Sequence, residues 1–432
     1  MHTVFQNECF SRPSGRALGA GGSAAVARAL LVGASLALLT ACGGGAGSGS
    51  EPESLVFATK EALGESLFFD LNLSRNRTQS CATCHNPAHA FIDNRPDADG
   101  LLPAVSVGDD GISLGDRNAP TAAYAMVTPD FHFGTHARFN SQQGDYEGYI
   151  GGQFLDGREP DLKGQAAGPP LNPIEMNMPD KASVVDRLLE NEDYEAAFKA
   201  LFGETIFDDV DEAYAAMAES IGTFEKTDAF APFNSKYDKS LRGEYVYSPL
   251  SKAALGKSLF FSQQFTNCAT CHQLKPNGST GETFSNYEYH NLGVPKNAAV
   301  RQLNGLDPDF VDTGLAMHPR VNDPAETGKF KVPSLRNIAV TGPYMHNGVF
   351  RELRTVIAFY DHYLVGSIHT LNPETGAPWR DPEVAENIAL TELQDGRKMS
   401  EEEVEAMVCF LRTLTDERYE DLIPEEPGIN CD

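Results

Sequence analysis

Two stretches of this chain carry residues of a type and spacing that could do chemistry, and they are identical: Cys81-Ala82-Thr83-Cys84-His85 and Cys268-Ala269-Thr270-Cys271-His272. Two thiols three residues apart can each add to one vinyl group of a porphyrin, and the adjacent imidazole can then bind its iron. Cys-x-x-Cys-His is therefore an attachment signature for c-type haem. A zinc site would need four Cys or His ligands at closed spacing, and neither copy has a second Cys-x-x-Cys or a His pair nearby. The reading is two covalently bound c-type haems, anchored by Cys81, Cys84, Cys268 and Cys271, with His85 and His272 on the irons.

The elements that must position these groups are also repeated. Ala62-Leu63-Gly64-Glu65-Ser66-Leu67-Phe68-Phe69 precedes the first pentapeptide and Ala254-Leu255-Gly256-Lys257-Ser258-Leu259-Phe260-Phe261 the second. Both read as the end of an amphipathic helix with its apolar face on the haem. Further helices are expected over Lys181 to Phe202, opened by Asp180, over Asp211 to Phe224, over Leu353 to Leu364, and after the capping box Ser400-Glu401-Glu402-Glu403. No run alternates like a strand for long. The expected fold is mainly α: two cytochrome-c-like haem domains with long loops, an N-terminal one over 55–240 and a C-terminal one over 241–432.

Ahead of them, Arg16 and Arg28 flank the apolar run Ala29 to Leu39, which ends in Thr40-Ala41-Cys42. That is an export signal over 1–41 rather than a spanning helix. Leu39 to Cys42 resembles a bacterial lipobox, which implies a lipid anchor on Cys42, an ordinary signal peptide being the alternative. Residues 42–54 read as a flexible Gly/Ser tether. The protein is expected in the periplasm, held to a membrane only through that anchor. A formal charge of −27 excludes nucleic acid as a partner. Cys409 and Cys431 read as a disulfide pinning the tail, or as two free thiols.

Several separated stretches between Ala62 and Leu414 resemble the bacterial di-haem cytochrome c peroxidase family, the MauG-type enzymes included. They are Arg117-Asn118-Ala119-Pro120, Phe154-Leu155-Asp156-Gly157-Arg158, Gln165 to Pro169, Asn172-Pro173-Ile174-Glu175-Met176, Lys331 to Asn337 and Pro343 to Gly348. The resemblance implies that the N-terminal haem meets hydrogen peroxide and the C-terminal haem stores or relays electrons. It makes Glu175 the acid/base and Gln165 the residue that positions peroxide; without it both would read as ordinary polar residues of a Pro-rich loop. Peroxidases of the family hold a His eight residues before the Asn of their Arg-Asn-Pro stretch, and here that position is Asp110. The first iron is therefore expected to keep an open face and to need no reductive activation. His89 reads as a surface or propionate contact.

For the second iron the resemblance points to Tyr360, fourteen residues after His346, where MauG-type enzymes place Tyr and the other peroxidases Met. His362 and Met345 are the alternatives. Lys331 and Arg336 are expected on haem propionates, and Asn118, Thr341 and Pro343 match positions that hold a Ca²⁺ in the family. His346 reads as a structural hydrogen-bonder, and His290 has no assigned role. One departure stands out. The family's inter-haem Trp is Leu155 here, and the chain's single Trp is Trp379. Exchange between haems must then be direct, slower, or run through another aromatic such as Phe154.

Three functions follow: an exported peroxidase using electrons from a small cytochrome or copper protein, a MauG-like enzyme oxidising residues on a partner protein, or a non-catalytic electron carrier.

Overall fold

Thr59 and Ser251 open the two repeated helices alike, each side chain accepting a hydrogen bond from the amide three residues on, at Ala62 and Ala254. The structure is a computed structural model that describes residues 56–97, 100–139 and 142–431; the expected export signal, the Cys42 anchor and the tether lie outside the described residues. The repeated helices run Lys60–Phe68 and Lys252–Phe260, and each crosses a second helix at its glycine. A Cβ on Gly64 would stand 1.9 Å from the Ser220 carbonyl oxygen of the helix Val210–Phe224, and one on Gly256 would stand 1.9 Å from the Ala406 oxygen of the helix Glu401–Arg412. Phe224 and Phe410 take the same place against the two glycines. The sequence repeat is thus a repeated helix crossing that only a residue without a side chain allows.

A methyl group there must separate the helices. Gly256→Ala is expected to cost about 3 kcal/mol, the upper end for overpacking, read as a fall in the thermal unfolding midpoint of the haem-loaded protein. An unchanged midpoint would contradict the tight crossing.

Two cores form around these crossings. One runs from Leu63 to Ala231 and includes Leu67, Phe68, Tyr214, Ile221 and Phe230. The other runs from Tyr237 to Leu414 and includes Phe260, Phe284, Met407 and Phe410. The changeover falls between Ala231 and Tyr237, just before the boundary expected at 240. The halves interlock: Arg117 bonds Asp312 through Nε and Nη2, each at 2.7 Å, and Asp156 at 2.7 Å. Tyr419, near the C-terminus, donates to the Pro87 carbonyl at 2.7 Å.

The periodicity over Lys181 to Phe202 is two helices, not one. Lys181–Leu189 is capped by Asp180 as expected, and Asn191 caps a new start at Glu192–Phe202 by accepting from the Asp193 amide. The helix expected to reach Leu364 ends at Asp361, and Ser400 and Glu403 form the expected capping box. Strands are short: His132–His136 pairs antiparallel with Tyr146–Ile150, and Tyr289–His290 with Phe330–Lys331. Cys409 and Cys431 are joined in a disulfide. Among the described residues no helix is long and apolar enough to cross a membrane.

Candidate active site

Cys268, Cys271 and His272 open onto a cavity of about 290 Å³ in the second half. Its walls are largely apolar, with Phe260, Ile357, Met407 and Leu411 among them, and a few polar groups converge on it, as a cofactor site requires. The His272 imidazole is fixed through Nδ1, which lies 3.0 Å from the Phe284 carbonyl. A carbonyl can only accept, so Nδ1 carries the proton and Nε2 is left with its lone pair for a metal. Tyr360 lines the same cavity. Burial, with the Cys271 and Cys268 sulfurs adding to it, pushes its phenol well above the usual range. Its hydroxyl makes no hydrogen bond among the described residues, and a bound iron would satisfy it.

The alternatives to Tyr360 divide. Met345 also faces the cavity, whereas His362 is turned away, packed on Tyr363 and Trp379 with Nδ1 on the Phe359 carbonyl. Lys331 lines the cavity and donates to the Gly152 carbonyl; burial brings its amine down to about 7, so an anion beside it would be welcome. His346 stacks on Phe330 at 3.8 Å, with Nε2 buried and without a hydrogen-bond partner among the described residues. His290 lies on the cavity wall with Nε2 3.1 Å from Glu288.

Arg336 departs from expectation. It is 1 % exposed, outside the cavity lining, and bonds both oxygens of Asp238 and the Glu282 carbonyl. A guanidinium so fully engaged has no donor left for a propionate. Asn118, Thr341 and Pro343 are all among the residues that line the cavity. Asn118 there donates from Nδ2 to the Ala104 carbonyl at 3.1 Å and from its amide to the His346 carbonyl at 2.8 Å.

The first site repeats the second. Nδ1 of His85 lies 3.2 Å from the Phe91 carbonyl, which again leaves Nε2 for a metal. Phe91 and Phe284 are both buried and both adopt positive φ, 55° and 57°, which turns their carbonyls onto the two imidazoles. Arg95 reaches the Cys84 sulfur at 3.4 Å while paired with Asp93. His89 sits in the short turn Pro87–His89 that follows.

Glu175 lies close enough to this site that its charge raises both the Cys81 and Cys84 thiols, after the larger effect of burial. Asn172 donates to its Oε1 at 2.7 Å. Burial pushes its carboxyl above the ordinary range; Asn172 and Arg158 pull it down, and Asp116 pushes up. Gln165 stands on the helix Leu162–Ala166, opened by Asp161 accepting from the Gly164 amide. The end of that helix is tied to the core by Tyr214, whose hydroxyl donates to the Ala167 carbonyl at 2.7 Å. Asp110, at the position of the displaced His, is exposed and bonds the Ile112 and Ser113 amides of its own loop.

The Phe154–Arg158 stretch borders the second cavity through Leu155, and the Arg158 guanidinium lies 3.7 Å above the Phe154 ring while bonding Asp156. Phe91, Phe284, Asn172, Arg158 and the His290–Glu288 pair were missed from sequence. Only Asn172 and Arg158 had a signal, as members of the stretches that carried the resemblance.

Compared with known proteins, residues 58–246 match the sequence model described as di-haem cytochrome c peroxidase. The chain is 50 % identical over 373 residues to the methylamine utilization protein MauG of Paracoccus denitrificans, covering 86 % of this chain and 92 % of that one. It is 28 % identical to the cytochrome c551 peroxidase of Nitrosomonas europaea over 86 % of this chain and 84 % of that one. Among solved structures it is similar to the diheme peroxidase BthA of Burkholderia thailandensis, with TM-score 0.71 and 29 % identity over 88 % of this chain and 92 % of that one.

Proposed function

Because the chain belongs to the di-haem cytochrome c peroxidase family, and is thus a peroxidase-type oxidoreductase with two c-type haems, we propose that it reduces hydrogen peroxide at its first haem with electrons from a small redox protein. The haems supply the redox chemistry, and the protein supplies the ligands and the proton handling. His85 and His272 would hold the irons through Nε2, and Tyr360 would supply a further ligand to the second. Glu175 takes the proton from one peroxide oxygen and returns it to the other, with Asn172 holding its carboxyl in place. Gln165 hydrogen-bonds the peroxide. Lys331 would pair with a propionate, and Asn118 with the carbonyls of Thr341 and Pro343 would suit a Ca²⁺. The protein is exported to the periplasm and lipid-anchored at Cys42.

The observation that carries this reading is Glu175: a carboxyl raised by burial, oriented by Asn172 and near enough to Cys81 and Cys84 for its charge to raise both thiols, with no His in the Asp110 loop. Such a site should react without prior reduction. Stopped-flow addition of peroxide to the oxidised protein should change the first haem's spectrum at the same rate with and without one-electron prereduction. A reaction seen only after prereduction would sink the open-face reading.

A second reading, peroxide-dependent oxidation of residues on a partner protein, is favoured by the 50 % identity to MauG and by Tyr360. Leu155 weighs against it, because leucine has no accessible oxidised state to relay charge. Steady turnover of reduced cytochrome c would favour the peroxidase reading.

A further inference from the structure

The position that follows each crossing phenylalanine differs between the halves. In the second half it is Leu411, which lines the haem cavity one helical turn after Met407. The crossings superpose Ser220 on Ala406 and Phe224 on Phe410, so its counterpart in the first half is Glu225. Phe224-Glu225-Lys226-Thr227 answers Phe410-Leu411-Arg412-Thr413, with a carboxyl standing where the other copy keeps an apolar wall. Glu225 is 5 % exposed, and its Oε2 is sealed from solvent with no hydrogen-bond partner among the described residues. It is near enough to Cys81 that, after burial, its charge is the next largest influence raising that thiol.

A buried carboxyl without a partner is unfavourable, and a leucine, as in the other half, would avoid the penalty. The groups around it do not neutralise it. Cys81 becomes an uncharged thioether once the haem is attached, Tyr214 on the same helix is committed to the Ala167 carbonyl, and Glu175 approaches Cys81 as a second acid. Burial alone moves Glu225, up to about 8, with no cation offsetting it.

We propose that Glu225 is a proton-exchanging carboxyl of the first haem pocket, taking up one proton from solvent when that haem gains an electron and releasing it when the electron leaves. One electron enters the haem and one proton enters the carboxylate, so the charge of the buried pocket is unchanged. At low dielectric two such charges are strongly coupled. The inference rests on haem attachment at Cys81 and Cys84 from the reading above, and not on peroxide turnover.

Redox titration of the two-haem protein between about pH 5 and pH 9 tests it. The first haem's midpoint potential should fall as pH rises, and Glu225→Gln and Glu225→Leu should each lose most of that slope while the second haem's profile is unchanged. Glu225→Leu copies Leu411 and removes an unpartnered carboxyl, so it should load haem as well as the parent. A slope kept in both variants, or no slope in the parent, overturns the proposal. Peroxide turnover on the same preparations separates the two readings. A lost slope in protein that does not reduce peroxide leaves Glu225 standing and removes the peroxidase reading. Normal turnover with the slope intact does the reverse.

Discussion

Glu175→Gln is expected to slow the reaction of the oxidised protein with hydrogen peroxide by about 10²- to 10⁴-fold, the range for loss of a positioned proton carrier. The substitution keeps the volume of the side chain and an oxygen that can accept from Asn172, so the loop keeps its shape and only proton transfer is lost. Stopped-flow rates give the comparison, with unchanged haem spectra as the control for an intact site. The pH profile carries a second signature. Glu175 must be ionised to take the first proton, so the rate falls as pH drops through its pKa. Because burial outweighs Asn172 and Arg158 and holds that pKa above the usual carboxylate value, the acid limb should lie above the ordinary carboxylate range and vanish in the variant. An unchanged rate would remove Glu175 from the chemistry, leaving a buried acid with a structural role.

What could be read from sequence divides along physical lines. The anchors Cys81, Cys84, Cys268 and Cys271 were legible because covalent attachment demands fixed residue types at fixed spacing. The crossing glycines were legible as a repeat, but not as a crossing, since nothing local says which helix Gly64 meets. Phe91 and Phe284 were invisible because they act through backbone carbonyls turned by a positive φ, and any residue type has a carbonyl. Arg336 was assigned to a propionate because a sequence shows a cation but not its counter-charge, and Asp238 lies 98 positions away. Lys181 to Phe202 kept its apolar period across a break, and Asn191, a strong N-cap and a poor helix-interior residue, was the local sign of a new start. Gln165 and Glu175 were visible only through a resemblance, as Gln165 stands on a helix of five residues, too short to show a period, and Glu175 in a loop without one.

Tyr360→Met is expected to raise the midpoint potential of the second haem by a few tenths of a volt, on the order of the span that axial ligands control. The Tyr360 phenol has no hydrogen-bond partner among the described residues and faces the cavity that also holds the His272 ring, so its oxygen is placed to serve the second iron as a phenolate ligand. That anionic oxygen favours the oxidised metal, whereas a thioether favours the reduced one. Methionine is flexible and fills irregular apolar space, so the wall formed by Ile357, Met407 and Leu411 should survive the exchange. Potentiometric titration followed at the second haem's absorption bands measures the shift. Met345 supplies the control, because it faces the same cavity. If Tyr360 is the ligand, Met345→Leu leaves the potential close to the parent's; if Met345 is the ligand, the two results exchange. The consequence reaches the first site. With Leu155 lining the second cavity there is no oxidisable side chain at the family's relay position, so exchange between the haems should be direct, slower, or run through another aromatic such as Phe154, with its direction set by their difference in potential. A second haem made high-potential by Met would accept electrons readily and yield them reluctantly, and peroxide turnover in Tyr360→Met should then depend on prereduction, as the parent's should not.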